Sequence, residues 1–399
     1  MSAPLVSVVI PHYRSPRSLA LVLTALELQD HPMDRLEVVV ADDGSPAAPE
    51  PGDRPYHVRV VRQEDLGFRG AAARNLGARA TRGPVLLFLD QDTVPEPSYV
   101  RLMAAALTGS VLAVGHRRHA DLDGWEPSQV RGWLAGTGEA PRELEEPRWL
   151  LDAYAGSDNL RAADDRSYRF VIGAVLGVTR ELFDRVGGFE ESFTRYGGED
   201  WELANRCWIA GADLVHLPGA VAWHDGPDFA GRDWEHERVK YLESVAVAAL
   251  ITEPGARGRG LVWAQPDVVI RLHDEAWEAA DVVACAQSLL RDTDAGVWLA
   301  SGRPLIEDPR VHAGQPAPEV LGRCRYQVDV RQPVHVRPGQ VRQWCDVAPV
   351  LAGEHVTVRR TRDLARGDGT ATPVPGPPEL SGTSLESWWA SDVAADSGR

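Results

Sequence analysis

Short apolar runs recur along the first half of the chain, each closed by a polar turn and followed by a segment of helical spacing. Leu5–Ile10, Leu36–Val40, Val58–Val61 and Val85–Leu89 read as buried strands, short and rich in β-branched residues. Between and after them Ser18–Leu28 sets Leu19, Val22, Leu23 and Leu26 on one helical face, and Gly70–Ala80 and Pro97–Leu107 also read as helices. Strands alternating with helices predict an α/β fold, a mostly parallel, doubly wound sheet flanked by helices. In such sheets ligands bind beyond the carboxyl ends of the strands. Residues 117–165 are polar and Trp-bearing, which predicts helical pieces and loops. Val171–Val178 returns to strand character, and Glu181–Val186 and Glu199–Ala210 read as helices. Leu214–Leu217 and Val221–Trp223 follow as short strands, and Asp233–Leu250 as a longer helix.

The rhythm breaks at Glu253–Gly260, rich in Gly, Pro and Arg, and then restarts with strand Val268–Leu272, helix Ala279–Leu290 and strand Val297–Ala300. The expected organisation is a domain at 1–252, a smaller α/β region at 253–372 and a loosely ordered tail at 373–399. Leu86–Arg101 can be laid beside Gln327–Arg342, so that Pro97, Val100 and Arg101 face Pro338, Val341 and Arg342. Asp90 and Asp92 then face Arg331 and Pro333. This is either a degenerate repeat that has lost its acids or a short match of the kind chance produces.

Composition narrows the function. The 399 residues are 44% hydrophobic and 25% charged, with a net charge of −16, and every basic residue but Lys240 is arginine. An acidic surface argues against nucleic-acid partners, yet leaves room for a local arginine pocket. Cys207, Cys285, Cys324 and Cys345 lack metal or redox spacing and read as buried thiols. The start of the chain has no leader pattern, and Val245–Ile251 is far shorter than the ~20 residues of a membrane helix. A cytoplasmic location is therefore expected.

The candidate chemistry sits at the strand ends. Asp90-Gln91-Asp92 closes a buried strand, and two carboxylates so spaced can hold a divalent ion with hard oxygen ligands that neutralises a diphosphate. A plain polar turn would look the same. Asp42-Asp43-Gly44-Ser45 closes another strand, where a carboxylate can accept hydrogen bonds from a ribose or base, or simply shape a turn. Gly67-Phe-Arg-Gly-Ala-Ala-Ala-Arg-Asn-Leu-Gly77 brings helix N-terminal amides with Arg69 and Arg74 to phosphate or base, while its alanines pack on the sheet. Glu199 and Asp200 open a helix after Gly197–Gly198. Either could take a proton from a hydroxyl, and capping explains one of the two equally well. His224, after Trp223, could be a metal ligand, though a lone histidine is more often structural.

In order along the chain these motifs resemble those of the family 2 glycosyltransferases, inverting enzymes of the GT-A fold. The resemblance rests on Ser7-Val-Val-Ile-Pro-His-Tyr-Arg14, Asp42-Asp-Gly-Ser45, Ala73-Arg-Asn-Leu-Gly77, Leu89-Asp-Gln-Asp92, Val186-Gly-Gly-Phe-Glu-Glu191, Gly197-Gly-Glu-Asp-Trp-Glu-Leu203 and Val221-Ala-Trp-His224, and spans about Val6 to Phe229. It implies a nucleotide diphosphate sugar as donor, UDP by preference, and Mn²⁺ or Mg²⁺ bound by Asp92 and His224. Asp42 and Asp43 would hold base and ribose, with Pro11, Tyr13, Arg14, Arg69, Arg74, Asp90 and Gln91 around the nucleotide. Asp200 would be the base, with Glu199 beside it. Gly188, Phe189 and Trp201 would shape the acceptor side. Arg14 stands where the family often has Asn. The region past Glu253 carries no matching motif; it is expected to position an acceptor or join two copies. A nucleotidyltransferase of similar fold, or a degenerate domain that only binds a sugar nucleotide or a partner, would share much of this pattern.

Overall fold

The structure is a computed structural model, and it describes residues 3–195, 197–227, 235–303, 305–368, 370–380 and 384–396. Two compact units emerge: Met1–Trp208 with Ala212–Val247, and Ile209–Gly211 with Ala248–Arg399.

The first unit is built on a mixed sheet of nine strands among the described residues: β1 (Val6–His12), β2 (Leu36–Asp42), β3 (His57–Arg62), β4 (Val85–Leu89), β5 (Thr93–Pro95), β6 (Val111–Asp121), β7 (Arg142–Leu144), β8 (Val175–Thr179) and β9 (Asp213–Asp225). The order is β3-β2-β1-β4-β8-β6-β9-β5, with β7 paired to β6. The β3-β2-β1-β4 half is parallel, and β8 runs antiparallel to both β4 and β6. The expected doubly wound half is thus present. β1, β2 and β4 are apolar on both faces, and Val8, Val9, Ile10, Val38 and Leu87 are fully enclosed.

Helix Gly70–Arg79 lies close on this sheet because its residues are small. A Cβ at Gly77 would stand 2.3 Å from Val9 Cγ1. Any side chain there would lift the helix, and with it Arg74.

Two elements depart from the expectation. β6 was hidden in a stretch read as loops and helical pieces from residue 117 on, because His116, Arg117, Arg118 and His119 break its apolar pattern. Three of these side chains find partners on other segments: His116 Nε2 lies 3.0 Å from Glu146 Oε2, Arg118 donates to Glu143 Oε2 at 2.6 Å, and His119 Nδ1 lies 3.0 Å from the Gly226 carbonyl. The two short strands after Gly211 are one strand, β9, interrupted where Gly115 faces Leu217 but His116 faces Val221. The expected helix start at Asp233 and the far end of the resemblance at Phe229 lie outside the described residues; the helix is described as Glu235–Leu250.

The second unit has seven strands among the described residues: β10 (Val268–Leu272), β11 (Ala295–Leu299), β12 (Val311–Ala313), β13 (Tyr326–Val330), β14 (Val350–Ala352), β15 (Val356–Arg360) and β16 (Thr372–Val374), ordered β12-β11-β10-β13-β15-β14-β16. Its core includes Ile270, Val297, Val328 and Val358. The segment read as a loose tail contains β16 and helix Leu385–Asp396, whose Trp388 joins that core. The four cysteines are buried and free, as read. Among the described residues, no helix is long and apolar enough to cross a membrane.

Candidate active site

The strand register places the acids. His12 ends β1 opposite Asp42 on β2, and Asp90 follows β4. Asp42 is fully enclosed. It accepts from the Ser45 amide at 3.1 Å and from Ser45 Oγ, and Arg62 Nε lies 3.1 Å from it. Its carboxylate is taken up in shaping its own turn. Asp43 accepts from the Arg69 amide at 2.8 Å and from Gln63 Nε2 at 2.6 Å, and so pins the loop before helix Gly70–Arg79. Of the pair, Asp43 is the one nearer solvent.

Tyr13 and Gln91 tie the first loop to the turn after β4. The Tyr13 amide donates to Gln91 Oε1 at 3.0 Å, and Gln91 Nε2 donates to the Tyr13 carbonyl at 3.2 Å. Pro11, opposite Ala41, completes this loop's base. The Tyr13 ring is 37% exposed, with the Arg14 guanidinium 4.6 Å from its centroid and its hydroxyl donating to Asp65. Arg14 adopts φ 51°, a left-handed conformation in which its amide donates to Ser45 Oγ at 2.9 Å. The family's usual Asn tolerates that conformation more readily than Arg does.

Arg74 is the hub. Its Nη2 donates to Asp90 Oδ1 at 2.8 Å and its Nη1 to Glu199 Oε1 at 2.9 Å. Burial works against its charge, but Asp90, Glu199 and Asp200 outweigh it and hold the guanidinium protonated. Arg69 instead turns back to the Glu64 carbonyl.

Glu199 and Asp200 start helix Glu199–Ile209 after Gly197 and Gly198, both with φ near +95°. Asp200 Oδ2 accepts from the Gly173 amide at 2.9 Å and Oδ1 from the Trp201 amide at 2.8 Å. The next carbonyl along, that of Ala174, accepts from the Asp90 amide at 3.2 Å. One short segment therefore ties the proposed base to the acid after β4. A Cβ at Gly173 would come 3.3 Å from Asp200 Cβ, so glycine permits this approach. Burial raises the pKa of both carboxyls, against Arg74 at Glu199 and against the Gly173 amide and Arg74 at Asp200. Glu199 is buried and paired with Arg74, whereas Asp200 is half-buried.

β5 pairs with β9 so that Thr93 faces His224, which brings Asp92 and His224 together. His224 Nδ1 is buried without a hydrogen bond and lies 3.4 Å from Asp92 Oδ1. A carboxylate oxygen and an orphaned imidazole nitrogen facing each other suit Mn²⁺ or a similar ion. No cluster of three such side chains is found among the described residues, so water and ligand oxygens would have to complete any coordination.

Two expected acceptor residues are placed elsewhere. Phe189 is 2% exposed and packs on Phe88 and Phe183 at centroid distances of 5.0 and 5.9 Å, and Gly188 is buried beside Asn75. This corner lies against Arg74, whose guanidinium is 5.5 Å from the Phe189 centroid. Trp201 stays at the site, half-buried beside Tyr168.

Two histidines escaped the sequence reading. His12 is 3% exposed, its Nδ1 has no hydrogen-bond partner, and burial holds it neutral although Asp42 and Gln91 favour the charged form. The His119 ring stands edge-on to His224 at 5.2 Å. The sequence marks both only as strand-end or in-strand histidines.

A mostly parallel sheet with acids at its strand ends, joined through an arginine to a helix-opening carboxylate pair, is an α/β domain of the GT-A kind. Residues 7–185 match the model of "Glycosyl transferase family 2", and residues 161–224 that of the "N-terminal domain of galactosyltransferase". This stretch of the chain is therefore similar to the domains of glycosyl transferase family 2. It is 32% identical over 253 residues to a chondroitin synthase of Escherichia coli, covering 58% of this chain and 36% of that protein. It is 34% identical over 238 residues to a validoxylamine A glucosyltransferase of Streptomyces hygroscopicus subsp. jinggangensis, covering 53% of each. The chain thus spans between about a third and a half of the length of these two relatives. Among solved structures, a mannosyltransferase of Pyrobaculum calidifontis in complex with GDP-Man and Mn²⁺ aligns with a TM-score of 0.44 at 21% identity, over 62% of this chain and 64% of that one.

Proposed function

We propose that the chain is an inverting glycosyltransferase that moves a sugar from a nucleotide diphosphate sugar, UDP by preference, to an acceptor hydroxyl. The observation that carries this reading is the Gly173–Ala174 link, which joins Asp200 to Asp90 beside the buried Arg74. In this reading Asp43, Tyr13 and Arg14 would receive the nucleoside, and Asp90 and Gln91 would stand around the nucleotide, Asp90 nearer its ribose. Asp92 and His224 would hold a divalent ion, whose chemistry is to neutralise the leaving diphosphate. Asp200 Oδ2, raised in pKa by burial, accepts the proton of the acceptor hydroxyl as that oxygen attacks the anomeric carbon. Arg74 holds Asp90 and Glu199 in place and keeps Glu199 from competing for that proton. Attack from the side opposite the diphosphate inverts the configuration and needs no covalent enzyme intermediate.

The relatives are by name a chondroitin synthase and a glucosyltransferase, which supports the reaction class over a nucleotidyltransferase. Asp200→Asn should lower transfer by about 10²–10⁴-fold, a typical general-base contribution. The shift in unfolding temperature caused by UDP with Mn²⁺ should remain. Transfer at the wild-type rate would remove Asp200 from the role.

A further inference from the structure

Among the described residues, the second unit repeats seven of the first unit's nine strands in order, β5 and β7 having no counterpart. β1 lies between β2 and β4 as β10 lies between β11 and β13, all parallel, and the antiparallel β8 beside β4 has its counterpart in β15 beside β13. The registers of the three central strands superpose without slippage. Val6 faces Leu36 and Val85, the first residues of β2 and β4, and Val268 faces Ala295 and Tyr326, the first residues of β11 and β13. Helix Tyr99–Ala106 follows β4 at the same interval at which helix Gln340–Asp346 follows β13. β8 and β15 each have five residues, and each runs directly into a helix of six, Arg180–Arg185 and Thr361–Arg366. Even single hydrogen bonds recur. The Asp90 amide donates to the Ala174 carbonyl and the Arg331 amide to that of His355, while Arg180 donates to Pro84 and Thr361 to Arg325. Arg331 and Pro333 thus stand at the positions of Asp90 and Asp92, and Ser301 and Gly302 at those of Asp42 and Asp43.

The crevice position survives while its charge has changed. A parallel sheet binds ligands where neighbouring strands lead off in opposite directions, and here that place lies between the ends of β10 and β13. His273 follows β10 with its side chain 46% exposed, and Arg331 follows β13 exposed to solvent, with Nη1 donating to Thr357 Oγ1 at 3.1 Å. Arg303, 40% exposed, is held by its bonds to the Asp274 and Trp277 carbonyls. Asp329 already faces Arg271 at 2.9 Å, His273 at 3.4 Å and Arg359 at 3.9 Å. Asp274 is enclosed by Ser301. Arg271, Arg303, Arg331 and Arg359 therefore stand against the engaged carboxylates of Asp274 and Asp329; Glu275 and Glu354 on the adjoining segments are exposed, and Glu379 is paired with His355 at 2.7 Å.

We propose that the second unit binds a phosphate-bearing anion directly, without a metal, between the ends of β10 and β13, with Arg331 and His273 as its contacts. A guanidinium can grip a phosphate through paired hydrogen bonds where the first unit's acids would need an intervening cation.

Titration calorimetry of the full chain with inorganic pyrophosphate in EDTA tests this. One site is expected, weakened at least about tenfold in Arg331→Glu and also weakened in His273→Glu, and unchanged in Asp43→Asn and Asp92→Asn. Far-ultraviolet circular dichroism checks that each variant is folded, and the His273 variant decides if the Arg331 variant is not. UDP in EDTA separates two sources of the phosphate: tighter binding than pyrophosphate points to a nucleotide, equal binding to a free phosphate group. No binding in EDTA, binding indifferent to both second-unit variants, or binding lost in Asp43→Asn would overturn the proposal. Metal-dependent UDP binding, lost in Asp92→Asn, is read separately and reports on the first unit alone.

Discussion

At the residue scale, the acids at the strand ends and the Gly-Gly-Glu-Asp helix start were legible because each breaks an apolar run at a turn. Their partners were not legible. Nothing in Asp42-Asp43-Gly44-Ser45 says that Asp42 faces inward to Ser45 and Arg62, since that depends on which way the loop folds back. The raised pKa of Asp200 has a thermodynamic consequence. A carboxyl raised on folding is favourable while protonated and loses that contribution as pH rises through its folded value. Asp200→Asn should therefore be more stable than the wild type above the ordinary carboxylate range. The gain should vanish at low pH, as unfolding midpoints at a series of pH values will show. His216 works the other way. It is sandwiched between His116 and Asn159 and stacked 3.6 Å from Tyr154, and burial with His116 pushes its pKa down to about 3. Its neutral form stabilises the fold above about pH 6.5, and that contribution fades as pH falls toward 3. His216→Phe should be weaker at neutral pH yet lose less stability over that interval.

At the element scale, the apolar period gave the buried parallel strands because both of their faces are covered. It failed at β6, where polar side chains find partners across neighbouring segments that lie far off in sequence. The resemblance put Gly188 and Phe189 on the acceptor side; the burial of Phe189 beneath Arg74 depends on packing that the motif does not spell out. Helix Gly70–Arg79 carries Arg74 and rests on β1 through Gly77. Gly77→Ala should cost about 1–3 kcal/mol by overpacking, read by urea denaturation. It should also lower transfer more than it lowers stability would suggest, since Arg74 moves with the helix. Full activity in a destabilised Gly77→Ala would separate the two effects.

At the scale of the whole chain, composition indicated an ordinary globular protein, and the restart of the strand–helix rhythm after residue 260 announced the second unit. The sequence offered that unit as either a degenerate repeat or a chance match at Gln327–Arg342, and the strand pairings favour the repeat, because order and register persist where few side chains do. UDP with Mn²⁺ at about 100 times its Kd should stabilise the first unit by about 2.7 kcal/mol. Its unfolding midpoint should rise by about 5–11 °C, followed by calorimetry, and UDP without metal should do less. The matched hydrogen bonds, Asp90 to Ala174 and Arg331 to His355, also read as history. If the two halves descend from one ancestral gene segment, drift erased the chemistry of one copy while its backbone pairings stayed fixed. The chain would then hold its own control experiment in natural selection, separating the contacts that specify a fold from those that specify a reaction.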